Sequence, residues 1–75
     1  MTNEFKLNAP IIKRSVMIAG HATSVSIEKP FWDHLTCIAN EHGKSLNALI
    51  TDIDEARDGI NLSSAIRLYV LNSLT

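Results

Sequence analysis

Three groups of side chains in this chain are of types that could do chemistry. His34, Cys37 and Glu41 recur at i, i+3 and i+7, which puts an imidazole, a thiol and a carboxylate near one helical face and could hold a metal ion. The competing reading, a partly buried thiol flanked by polar side chains, is preferred, and no metal or cofactor is expected. Lys44-Ser45-Leu46-Asn47 opens an amphipathic segment, and the free N–H groups and positive dipole end of a helix start there suit an anion. Ser24 and Ser26 place two hydroxyls on one side of the alternating stretch Thr23-Ser24-Val25-Ser26-Ile27. His21 and His42 are the remaining histidines of note, but a loop histidine and a helix-end histidine need no function. No nucleophile–base pair, glycine-rich phosphate loop or close carboxylate pair accompanies these groups, so catalysis is not expected and no catalytic residue is assigned.

Seventy-five residues allow one small domain, whose core usually supplies only about 3–5 kcal/mol unless something staples it. The single Cys37 excludes an internal disulfide, and no Cys/His spacing reads as structural zinc. Oligomerisation is the remaining staple, and a hydrophobic content of 45% agrees with it. Met1–Phe5 lacks a positive segment ahead of an apolar core, so no signal peptide is expected. The longest apolar stretch is far below the ~20 residues of a membrane helix. One free cysteine fits a reducing cytoplasm. The net charge is −1, with +2 over residues 1–30 and −3 over residues 31–75. A mildly basic front and an acidic back would orient the chain on a polyanion; ordinary solubilising charge explains the same numbers.

The elements that must position these groups follow from periodicity. Residues 1–12 are polar at first and interrupted by Pro10, which suggests a flexible arm ahead of a domain over 13–75. Ser15–Ala19 has strand character, with Val16 and Ile18 on one face, and Gly20-His21 breaks it. In the next strand Thr23, Val25 and Ile27 share the face that wants burial, and Ala22, Ser24 and Ser26 share the other. A first helix is expected from about Pro30 to His42, with Phe31, Leu35, Ile38, Ala39 and His42 as its stripe and Gly43 ending it. A second runs from about Ser45, a good N-cap, to Arg57, with Leu46, Leu49, Ile50 and Ile53 inward. A third spans about Leu62 to Leu74, capped by Asn61 or Ser63. Its face is Leu62, Ala65, Ile66, Tyr69, Val70 and Leu74, with Leu68 and Leu71 outside it. A helix apolar on more than one side points to an interface.

Strand, helix, glycine and serine-capped helix in this order resemble the ribbon-helix-helix domains of the Arc, MetJ and CopG class. Ile27, Phe31, Leu35, Ile38, Ala39, Gly43, Ser45, Ala48 and Ile50 fall at the CopG-type spacing without a gap. The resemblance covers residues 22–57, and the run from Lys13 to Ile27 is similar to a bacterial subfamily that adds a C-terminal helix. It implies a mostly α fold with short β: a homodimer in which strands 22–28 of two chains pair as a ribbon and the helices of both chains intertwine beneath it. Domains of this class insert the ribbon into the DNA major groove. Carried over by position, Ala22, Ser24 and Ser26 would face base edges, and Lys44, Ser45 and Asn47 would hold a phosphate.

Lys13 and Arg14, with His21 and Lys29, would add an electrostatic footprint. The expected activity is therefore that of a DNA-binding transcriptional regulator. The alternative is a protein-interaction module that keeps the fold without the DNA surface and takes a protein partner through helix 62–74. The acidic second helix, the multi-faced third helix and the short ribbon side chains motivate it. The strand over 15–19 bears on this choice. It either folds back on 23–28, which would give the dimer a four-stranded sheet too broad for a ~12 Å groove, or serves as an arm along the DNA backbone.

Overall fold

The chain reverses direction at Ala19-Gly20. Both residues lie in the left-handed region, at φ 51° and 83°, as a two-residue type I′ hairpin loop requires at its two central positions. Strand β1 (Ile11–Ile18) therefore folds straight back on β2 (His21–Glu28), antiparallel and in register from Ile18↔His21 to Ile11↔Glu28. The structure, a computed structural model, describes residues 9–75.

Of the two arrangements open to the upstream strand, the chain adopts the hairpin, because a two-residue loop closes at little entropic cost. β2 thus finds a strand partner within its own chain. β1 begins at Ile11, inside the segment expected to be an arm; residues 1–8 of that arm lie outside the described residues. Ala19, expected in the strand, is drawn into the turn.

Three helices follow: α1 (Lys29–Glu41), α2 (Leu46–Ala56) and α3 (Leu62–Ser73). Pro30 sits in the first turn of α1, where its missing N–H breaks no helical bond. α1 ends in a Schellman motif. Gly43 turns left-handed at φ 67°, its N–H donates to the Asn40 carbonyl at 3.1 Å, and the Lys44 N–H donates to that of Ala39 at 2.9 Å. α2 is capped by Ser45, whose Oγ accepts from the Ala48 N–H at 3.1 Å. α3 is capped by Asn61 rather than Ser63, Oδ1 accepting from the Ser64 N–H at 2.8 Å.

One core joins all five elements. Val16, Ile18, Val25 and Ile27 supply the inner face of the hairpin; Leu35, Ile38 and Ala39 come from α1, and Leu49, Ile50 and Ile53 from α2. Leu62, Ala65, Ile66 and Val70 complete it from α3, with Phe31, Trp32, Leu46 and Tyr69 packed at its margin. Three expectations need correction. Leu74 is 61% exposed, because it falls in the final turn past the end of α3. His42 is exposed as the C-cap of α1, and Cys37 is exposed rather than partly buried. Among the described residues no group of three His, Cys, Asp or Glu is placed to hold a metal ion, which separates His34, Cys37 and Glu41 as ligands.

Candidate nucleic-acid interface

Side chains alternate across a strand, so burying Val16, Ile18, Val25 and Ile27 dictates what the other face shows. Lys13, Ser15 and Met17 of β1 project outward with Ala22, Ser24 and Ser26 of β2, all of them exposed. The register sets Lys13 across from Ser26, Ser15 across from Ser24 and Met17 across from Ala22. The result is a two-stranded polar ribbon with a serine pair at its centre. Ala22, Ser24 and Ser26 share this face as expected from sequence. Ser15 was missed there, although the alternation Lys13, Ser15, Met17 is readable once the hairpin is known.

Arg14, expected to join Lys13, takes the opposite face, because neighbours in a strand point to opposite sides. Its guanidinium carbon lies 4.8 Å from the centre of the Trp32 ring, a cation–π contact. Its Nε is buried without a hydrogen-bond partner among the described residues. The phosphate-binding end expected at α2 is internally engaged. The Lys44 ammonium bonds the Asp52 carboxylate, and this hydrogen bond, followed by the charge of Asp52, raises the lysine pKa. The Ser45 hydroxyl is occupied as the N-cap. Asn47 is exposed, and its backbone carbonyl accepts from Thr51 Oγ1 at 2.8 Å. The groove that Lys44 lines is shared with His42, Leu49, Asp52 and Tyr69, all from the helical part of the molecule rather than the hairpin.

The outer edge of β2 is held by α3. The Ser26 N–H donates to Ser63 Oγ at 3.3 Å, and Arg67 reaches the Ser26 carbonyl at 3.5 Å. Arg67 also donates from Nε to Glu28 Oε1 at 2.9 Å. Because the Ser26 N–H points away from β1, the pair Lys13–Ser26 is a non-hydrogen-bonded one. The backbone groups of Lys13, Ser15 and Met17 then line the other, open edge of the hairpin. Four of the described cations have carboxylate partners: Lys29 with Asp33, Lys44 with Asp52, Arg57 with Asp54, and Arg67 with Glu28. Lys13 has none among the described residues, so it is the available charge on the ribbon face.

The Glu28–Arg67 pair makes stability depend on pH. The hydrogen bond from Arg67, assisted by one from the backbone N–H of Glu28, lowers the Glu28 pKa from its ordinary 4.5. A carboxylate with a lowered folded-state pKa contributes stability above its unfolded value and loses it as pH falls through the folded one. Urea midpoints are expected to decline below about pH 4.5, and Arg67→Ala to flatten that decline. An unchanged slope in the variant would refute the coupling.

A hairpin packed on a helix, a left-handed glycine and a serine-capped second helix define a ribbon-helix-helix architecture, here extended by α3. The sequence pattern of the ribbon-helix-helix domain matches residues 11–74, and the chain belongs to that family. Domains of this family are typically DNA-binding transcription regulators, and the fold is a regulatory rather than a catalytic one. Neither the curated proteins nor the solved structures include a significant match to the chain. No helix of the described residues is long and apolar enough to cross a membrane.

Proposed function

We propose that this domain binds double-stranded DNA as a homodimeric transcriptional regulator of a bacterial cytoplasm, laying the outer face of its β1–β2 hairpin in the major groove. The observation that carries this reading is the exposed ribbon itself: two strands, a polar face opposite the core, and upon it Lys13, which has no carboxylate partner among the described residues. One hairpin, two strands about 4.8 Å apart, fits a groove about 12 Å wide; four strands joined across a dimer would not. This reading therefore requires each hairpin to enter as its own chain's pair, and a dimer joined at the strands would favour the protein-contact reading instead. Ser15, Ser24 and Ser26 offer hydroxyls that pair with donors or acceptors on base edges, and Ala22 and Met17 offer apolar contact to thymine methyls. Hydroxyls discriminate bases poorly compared with Arg or Asn, so affinity rests mainly on phosphate contacts.

Duplex binding is therefore expected at low salt and to weaken as salt rises. Lys13→Gln, altering both chains of a dimer, is expected to lower the slope of log affinity against log salt by roughly two, at about 0.9 per phosphate contact. Equal affinity and slope in parent and variant would sink the assignment of Lys13.

A second reading has its own support. Most described cations are tied up in ion pairs, and α3 exposes Leu68 and Leu71, at 47% and 54%. A module retaining the fold for protein contacts would show no duplex binding even at low salt.

A further inference from the structure

We propose that the open edge of β1 takes up an acidic, extended segment of a partner protein as an added strand, whose carboxylates bind Lys13 and Arg14. This surface is separate from the duplex reading, because it uses the edge of the hairpin rather than its outer face.

The backbone provides the seat. β1 pairs with β2 alone. The non-hydrogen-bonded pairs Lys13–Ser26, Ser15–Ser24 and Met17–Ala22 turn the N–H and C=O groups of Lys13, Ser15 and Met17 away from β2. A row of such groups is a template for strand addition. The two edges of the hairpin differ. At Ser26 the β2 edge is held by Ser63 and Arg67, whereas Ile11, Lys13, Ser15 and Met17 are all exposed. A dimer paired through strand 22–28, as the resemblance implies, would leave the β1 edge open as well.

Charge selects the occupant. Lys29, Lys44, Arg57 and Arg67 each have a carboxylate partner. The described lysine and arginine side chains without one are Lys13 and Arg14, neighbours on β1. They point to opposite faces of the strand, so two adjacent acids on an added strand would meet one on each side. Arg14 is restrained for such a contact: its guanidinium carbon lies 4.8 Å from the centre of the Trp32 ring. Its Nε is buried with no hydrogen-bond acceptor among the described residues, so the demand of the guanidinium is unmet within the fold. A planar guanidinium of this kind pairs with a carboxylate through parallel hydrogen bonds. A second copy of β1 would instead gather four cations on one seam, which like-charge repulsion disfavours.

Calorimetric titration of the full chain tests this with an end-capped peptide that alternates threonine and valine around two central glutamates. The parent is expected to bind it, and to bind the glutamine counterpart at least about tenfold more weakly. Arg14→Gln is expected to weaken the glutamate peptide by a similar factor. So is Ser15→Pro, which deletes an edge donor where proline is tolerated. Both variants should keep the parent circular-dichroism spectrum. Amide exchange in the parent needs no variant: the glutamate peptide is expected to slow exchange at Lys13, Ser15 and Met17 and to leave Ala22 and Ser24 unchanged. Equal affinity for the two peptides, or protection of Ala22 and Ser24 instead, overturns the proposal. So does a parent that binds neither peptide, which would leave Lys13 and Arg14 as charges that only keep edges apart. A dimeric parent made monomeric by Ser15→Pro overturns it too, by giving the edge to a second copy. A domain that takes the peptide but no duplex overturns the duplex reading alone.

Discussion

Replacing Ile66 by alanine is expected to destabilise the domain by about 2–5 kcal/mol, the range for truncating a fully buried aliphatic side chain. Ile66 has no exposed surface and belongs to the one core cluster that joins the hairpin to all three helices. A cavity there cannot be filled from a neighbouring cluster. Since a core of this size supplies about 3–5 kcal/mol, the variant should be largely unfolded at room temperature unless association rescues it. Urea denaturation at two protein concentrations checks both points. Met17→Ala, at a site 51% exposed, should shift stability by no more than about 0.5 kcal/mol. A loss below about 1 kcal/mol for Ile66→Ala would mean that α3 is not integral to the fold.

Gly20→Val should have the next largest effect, about 1–3 kcal/mol. The reason is conformational rather than steric crowding. A Cβ at Gly20 would meet nothing within 4 Å, yet φ is +83°, where a β-branched residue is a genuine outlier. The hairpin would open from its turn, so amide exchange in β1 should quicken before that in α1 and α2. DNA affinity should fall with it, because the proposed ribbon exists only while both strands are paired. Unchanged exchange in β1 would refute the turn's role. Ala19→Gly, at φ 51°, should act oppositely by a few tenths of a kcal/mol, easing a left-handed position.

The helices were legible because each carries its own punctuation: Pro30 at a start, Gly43 at a stop, Ser45 and Asn61 as caps, and stripes of apolar residues between. Those signals act within a turn or two of the chain. The apolar sides of both strands were legible for the same reason. Pairing was not, because Ala19-Gly20 is a weaker hairpin signal than Asn-Gly or Asp-Gly and both strands could have found partners elsewhere. That one ambiguity propagated into the site. Without the hairpin, Lys13 and Arg14 read as a basic pair; with it, period-two alternation sends one to the ribbon face and the other onto Trp32. The pairing of Lys44 was not legible for a different reason. Its partner Asp52 is eight positions away on the next helix, and a contact across two elements has no local sequence signature. The leucines outside the core stripe of α3, by contrast, stood out in the sequence and are exposed in the fold.

Ser63 and Arg67 place α3 in contact with the ribbon on one side while the leucine stripe looks outward on the other. The helix is thus a shared element. Whatever steadies it from outside also steadies the backbone of Ser26 and the carboxylate of Glu28. Linkage makes such an effect reciprocal for binding free energies: a ligand that favours the ordered ribbon, as the proposed DNA contact would, must in return steady the seat of α3.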